Sequence, residues 1–226
     1  MSNQKFVLPD GSEVGTGNIK PETLSNSLYK TFDSEFDYLD ENAVKQLLSE
    51  NGSHRYLKLR EVRKSTMINQ GNIGKCNASA AVAAMYQIRE CNGYDHVPLA
   101  DNYLYWNING GQDRGSLLND GMDFSRDNGI APRNLVTEAG QEIGEIPQQS
   151  FNSRAIQPQI VQEADLQARR FKMWEPFVVP ADWENFRQTV MTAVALDYPV
   201  VMAWDVTERS MRLNNGYIVS GRGMGN

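Results

Sequence analysis

Small and apolar residues crowd the stretch from Cys76 to Arg89, where alanines are interspersed with Val82, Met85 and Ile88. That pattern predicts a central, buried helix packed closely on several sides. A second helix is expected from Leu99 to about Trp106, and a third from Ser116 to Asp127 with Asn128-Gly129 as its stop. Upstream, Asp40 is placed to cap a helix whose apolar positions Ala43, Val44, Leu47 and Leu48 recur at helical spacing, with Asn51-Gly52 ending it. Asp182 opens a further helix through Leu196 with Trp183, Phe186, Val190 and Val194 on one face, and Pro199 to Val206 has the β-branched run of a buried strand. Phe6 to Val14 predicts a hairpin turning at Asp10-Gly11, with Gly15 to Gly17 as a linker after it. Residues 139 to 170, rich in Gln, Pro and Glu, have weak periodicity and read as a crossing segment or surface excursion. Helices first and strands second make an α+β chain. The expected division is an N-terminal arm over residues 1–53, a helical subdomain over 54–138, and the crossing segment with a β-rich subdomain over 139–226.

Composition narrows the function classes. The 226 residues are 40% hydrophobic and 22% charged, far from the regime of disorder. Twenty-two basic against 28 acidic residues give a formal charge of −6, and the short Arg60 to Lys64 stretch is the densest basic run, which argues against nucleic acid as a partner. Apolar runs such as Pro199 to Trp204 fall well short of the roughly 20 residues that span a bilayer. Residues Met1 to Pro21 are polar and lack the layout of a secretory signal, and only two cysteines are present, so a cytoplasmic, reducing setting is expected. The carboxylates between Asp33 and Asp40, with no His or Cys beside them, read as a solvated run, and neither a metal nor another cofactor is expected. Trp174, Trp183 and Trp204 read as core, and Tyr103, Tyr105 and Trp106 as packing residues before binding residues. Cys91 reads as a core or helix-end thiol.

The chemistry concentrates in Asn69-Gln-Gly-Asn-Ile-Gly-Lys-Cys-Asn-Ala-Ser79. A cysteine at the first position of a helix, just after a Gly-rich turn, has its thiolate stabilised by the helix dipole and by first-turn amides. A glutamine six residues upstream, on the feeding loop, can fold back to place its side-chain amide beside the cysteine N–H as a second oxyanion donor.

The pattern Gln-Gly-x-x-Gly-x-Cys followed by a small-residue helix resembles the papain-like cysteine peptidases. The resemblance extends through Tyr103-Leu-Tyr-Trp106, Asp113-Arg-Gly-Ser116, Gly121 and Asn128-Gly-Ile-Ala-Pro132. It resumes at Pro199-Val-Val201 and Gly216-Tyr-Ile218, and so covers roughly residues 54 to 226. It implies a papain-like fold of a helical half and a β-rich half with a cleft between them, Cys76 as nucleophile and Gln70 as oxyanion-hole donor. It also implies that Gly115 and Ser116 pair backbone with a peptide substrate, unless Gly110-Gly111 is that loop. Ile73 stands where secreted relatives place a half-cystine, and Asn77 where they carry a bulky aromatic. The catalytic histidine of the family lies beyond the motif resembling Gly216-Tyr-Ile218, and the orienting asparagine later still. The chain reaches Asn226 before either, so the fold is expected to be C-terminally incomplete. His54 and His96 are the histidines at hand, and a lone loop histidine is ordinarily solvated or capping.

Two expectations follow from different classes. One is a papain-like thiol peptidase acting on a peptide or protein substrate and inactive as this chain alone. The other is a catalytically silent papain-like scaffold in a larger assembly, a virion being one setting, with the N-terminal arm contacting an assembly partner.

Overall fold

The computed structural model describes residues 4–7, 13–16, 30, 32–50, 68, 70, 73–135, 158–177, 179, 183–202, 213–214 and 217–218. Several expectations lie outside them: the Asp10-Gly11 turn, the Asn51-Gly52 stop, His54, residues 139–157, and Val206 with the rest of 203–212. The division into segments at 53 and 138 falls at such residues too.

Ala78, Ala81, Val82 and Met85 recur at helical spacing on α3 (Cys76–Cys91), and all four are buried. Small side chains there let neighbouring helices come close. Around α3 lie α4 (Asp101–Asn109) and α5 (Leu118–Asp127), each in contact with it and with one another. On α5, a β-carbon added at Gly121 would sit 3.7 Å from the Asn77 carbonyl oxygen and 3.9 Å from the Ala81 β-carbon, so the two helices approach closely there. Leu99, Ala100, Tyr103, Leu104, Ile130 and Ala131 complete this core with Ala164 and Ala168 of α6 (Pro158–Ala168).

The connections are held by backbone bonds. An antiparallel bridge joins Leu99 to Pro132, with Ala100 N–H on Ala131 C=O at 2.8 Å and Arg133 N–H on Pro98 C=O at 2.7 Å. After α6 the chain runs across the end of α5, where Ile130 N–H donates to Phe171 C=O at 3.1 Å and Met173 N–H to Ser125 C=O at 2.9 Å. Gly129 makes this crossing possible. Its φ is +88°, and a β-carbon on it would stand 1.9 Å from the Ala168 carbonyl oxygen.

A second cluster gathers α1 (Phe32–Glu35), α2 (Glu41–Glu50) and α7 (Trp183–Ala195). Phe32 stacks on Phe36 at 4.6 Å, and Phe177 and Tyr198 meet that pair edge-on. Thr192 Oγ1 accepts Leu39 N–H at 3.1 Å, and Thr189 Oγ1 donates to Tyr38 OH at 3.2 Å. Asp40 caps α2 as expected, its Oδ1 accepting Ala43 N–H at 2.8 Å. Residues 32–50, expected within an arm, are thus fastened to the chain around residue 190. Two antiparallel hairpins make up the strands among the described residues. The first pairs β1 (Gln4–Val7) with β2 (Glu13–Thr16), Phe6 opposite Val14, and the second pairs β3 (Leu213–Asn214) with β4 (Tyr217–Ile218).

Some expectations need correction. Gly15 lies inside β2, not in a linker, because its partner Lys5 extends the ladder past Val14. α4 starts two residues after Leu99, since Leu99 is engaged in the bridge, and it runs on to Asn109. α5 starts at Leu118, with Asp120 Oδ2 reaching back to Leu117 N–H at 3.1 Å, and Ser116 stays in the preceding loop. α6 lies within the stretch read as weakly periodic. Its buried positions Ala164 and Ala168 are too small to register as an apolar stripe. On α7, Val194 is exposed while Thr189, Thr192 and Ala193 are buried, because hydroxyl partners make the threonine face the inner one. Residues 199–202 form no strand, for nothing among the described residues pairs with them, and Met202 is exposed. Trp174 is 48% exposed and tilted against Tyr94 at 6.3 Å, so it is not core. Leu48, too, faces outward. The described residues are therefore mostly helical, and among them no helix is long and apolar enough to cross a membrane.

Two measurements check this packing. In urea titrations, Gly129→Ala should lose at least ~3 kcal/mol, since both the positive φ and the carbonyl oppose a side chain, whereas Gly121→Ala should change stability by under ~1 kcal/mol. The second concerns Tyr103, whose hydroxyl donates to Asp165 Oδ1 at 2.5 Å. Burial, reinforced by that carboxylate, pushes the Tyr103 phenol above its ordinary value. A phenol raised in the fold contributes stability that is complete below the unfolded value of about 10 and is lost as pH rises through the folded value. Stability should thus fall above about pH 10, and Tyr103→Phe should flatten that fall while costing about 1.5–3 kcal/mol near neutrality.

Candidate active site

Cys76 is the first residue of α3 and is half-buried. Lys75, in the N-cap position, has no acceptor to offer the first-turn amides, and the first intrahelical bond runs from Ser79 N–H to Lys75 C=O at 2.9 Å. Before it Ile73 N–H donates to Gln70 C=O at 3.3 Å, and Gln70 itself is half-buried. The thiol donates weakly to Asn77 Oδ1 at 3.9 Å. Cys91 closes the same 16-residue helix. At about 1.5 Å rise per residue the two cysteines stand roughly 22 Å apart, far beyond the bridging limit of about 7 Å.

Two polar ties join the entry of α3 and the loop at 113–116. Gly74 N–H donates to Asp113 Oδ1 at 2.9 Å. Asn77 Nδ2 donates to the Ser116 carbonyl at 2.5 Å and lies 3.3 Å from Ser116 Oγ. Asn77, at the position next to the cysteine, is buried, and it needs Ser116 because an amide left unpaired there would be costly. The loop is secured from within as well. Tyr105 OH donates to Asp113 Oδ1 at 2.7 Å and accepts Gly115 N–H at 3.0 Å. Burial first, and then the Asp113 carboxylate, raises the Tyr105 phenol, so it stays a donor. Gly115 has φ +78°, a conformation that glycine adopts without strain.

Behind the cysteine sits a buried ion pair. Lys75 Nζ is 2.8 Å from Asp101 Oδ2, their side chains 7% and 1% exposed. Lys75 Nζ also donates to Asn102 Oδ1 at 2.5 Å, and Ser79 Oγ donates to Asp101 Oδ2 at 3.0 Å. Asp101 Oδ1 finds no hydrogen-bond partner among the described residues. This network fixes the N-terminus of α3 against that of α4.

The predicted residues are therefore brought together unevenly. Cys76, Gln70, Gly115 and Ser116 belong to two loops that are bonded to each other. Gly110 and Gly111 form the end of α4, where Gly110 is left-handed at φ +67° and Gly111 N–H donates to Trp106 C=O and to Asn109 Oδ1. That is a helix cap. His96 is exposed and packs on Tyr86, ten residues along α3 from Cys76, and among the described residues no imidazole hydrogen-bonds the thiol. Among the described residues no group of His, Cys, Asp and Glu is arranged to hold a metal ion. Sequence reasoning quoted Asp113 within the Asp113-Arg-Gly-Ser116 match and read Tyr105 as a packing residue, but gave neither a role at the site, and it missed the Lys75–Asp101 pair.

No protein-family model matches the chain, and neither does any curated protein. Among solved structures, the crystal structure of xylellain, a cysteine protease from Xylella fastidiosa, aligns at 19% identity with a TM-score of 0.43 over 57% of this chain. The chain spans 48% of the length of that structure.

The ion pair yields a sharp expectation. Lys75→Met leaves Asp101 buried without its counter-charge and should cost about 3–5 kcal/mol in urea unfolding. Lys45→Met, which removes an exposed pair with Glu41 on α2, should cost under about 0.5 kcal/mol.

Proposed function

We propose that this chain carries the nucleophile-bearing part of a papain-like thiol peptidase, an α+β fold whose β-rich half follows residue 139. The observation that supports the reading is the position of Cys76: first residue of a buried helix, half-exposed itself, behind Gln70 and a turn bonded to the 113–116 loop. In this reading the Cys76 sulfur attacks the carbonyl carbon of a peptide held along Gly115 and Ser116. The oxyanion that forms is met by the Cys76 N–H and the Gln70 side-chain amide. An imidazole from outside the described residues takes the thiol proton and delivers it to the leaving amine as the C–N bond breaks, and water then hydrolyses the thioester to free the thiol and the acid.

A second reading has its own support. Gly115 N–H and the Ser116 carbonyl are both already bonded within the fold. A silent scaffold, serving as a structural or binding component of an assembly, would keep the loop in that state.

Peptide aldehydes separate the two, because they form a hemithioacetal with a nucleophilic cysteine and need no proton for a leaving group. The expected result is binding that is lost in Cys76→Ala and weakened about 100-fold in Gln70→Ala. No binding, or equal binding by Gln70→Ala, would leave the scaffold. Peptide substrates should be turned over at trace rates or not at all by the 226 residues alone. Robust hydrolysis that disappears in Cys76→Ala would assign the base to His54, His96 or an imidazole supplied by a partner chain.

A further inference from the structure

We infer that Asp113 is a positioning residue which, with Tyr105, holds the cysteine-bearing turn and the 113–116 loop at the separation a bound peptide needs. The inference rests on the reading of Cys76 as a nucleophile and names a residue that reading does not require.

The geometry is a continuous relay: Gly74 N–H to Asp113 Oδ1 at 2.9 Å, Tyr105 O–H to the same oxygen at 2.7 Å, and Gly115 N–H to the Tyr105 oxygen at 3.0 Å. Its ends lie two residues before Cys76 and one before Ser116. Its middle is a buried ring on α4, so the relay refers both loops to one rigid helix. The Tyr105 hydroxyl is the only group in the relay that both donates and accepts, which gives the chain of bonds a direction. A carboxylate oxygen taking two donors makes stronger bonds than a neutral carbonyl would. None of the relay's three hydrogen bonds involves the sulfur. Loss of Asp113 therefore leaves the thiol in place and lets the two loops drift, and a drift of about 1 Å is worth up to 100-fold for a reaction that needs alignment.

Such a role predicts a split between reagents. Iodoacetamide reads the thiol alone, whereas a dipeptidyl chloromethyl ketone must also lie along the 113–116 loop. The second-order rate constants for both reagents at Cys76 are to be measured on the 226-residue chain at one pH, with labelled peptides assigned by mass spectrometry so that Cys91 does not contribute. The unmodified chain should prefer the peptidyl reagent over its urea-unfolded form. Asp113→Ala should reduce that preference at least ~10-fold with the iodoacetamide rate within about 3-fold. Asp113→Asn, which keeps an oxygen acceptor, should restore most of it. Tyr105→Phe removes one hydroxyl and should lower the preference in the same direction, which keeps the test decisive if Asp113→Ala does not fold.

A preference unchanged in both Asp113→Ala and Tyr105→Phe overturns the inference. So does an equal loss with both reagents, or an Asp113→Asn variant no better than Asp113→Ala. If the unmodified chain has no preference for the peptidyl reagent at all, it is the peptidase reading that fails, and the inference with it.

Discussion

The burial of α3 by its neighbours is the constraint from which the site follows. A helix lined by Ala78, Ala81 and Val82 has little apolar bulk of its own, so it is stabilised only when other helices come close enough to exclude water. Gly121 and the Ala residues of α6 permit that approach, and α4 and α5 complete it. Because the helix is gripped along its length, its first residue is fixed in space without any cap of its own. Cys76 is held by that packing together with the Lys75–Asp101 pair, with no side-chain cap on the helix.

Close packing has an electrostatic consequence. The N-terminus of α3 brings Lys75 and Asn77 into the interior with the cysteine between them, and each buried polar group then demands a partner. Asp101 answers Lys75 and the 113–116 loop answers Asn77. The partners differ in kind. An ion pair between helix starts sets the axis of α3, whereas amide and carboxylate bonds to a loop set what lies beside the sulfur. The unpartnered Asp101 Oδ1 marks where this arrangement is least complete, next to the only buried charge pair recorded in the described residues.

The sequence made α3 legible because its pattern is strong and local, and the place of Cys76 at its first position because the Gly-rich residues before it announce a helix start. The place of Gln70 ahead of that helix follows from its spacing. The roles of Asp113 and Tyr105 were not legible, since a carboxylate in a Gly-rich stretch and a tyrosine in a helix acquire their meaning only when the chain folds them onto Gly74 and Gly115. The same physics hid the inner face of α7. Thr189 and Thr192 are not among the apolar positions that mark a face in the sequence, and Tyr38 and Leu39 arrive from more than a hundred residues away to satisfy them. Trp174 erred in the other direction: its apolar neighbours suggested core, yet those neighbours, Phe171 and Met173, take the buried places on that segment and leave the indole outside.

That segment ties the two clusters together. Phe171 and Met173 pack into the core around α3, Glu175 reaches Arg126 at the end of α5 at 3.5 Å, and Phe177 enters the aromatic group with Phe32, Phe36 and Tyr198. A stretch of extended chain thus changes its allegiance over a few residues, from a core of small side chains to one of stacked rings. Among the described residues its backbone hydrogen bonds run to the first cluster, at Ile130, Ser125 and Ala168, while Phe177 lends its ring to the second. The grip is therefore asymmetric. Disturbing the aromatic group should leave α3 and its cysteine undisturbed, because the backbone bonds at 171 and 173 stand between them, whereas any change that loosens α5 reaches both clusters through the same few residues.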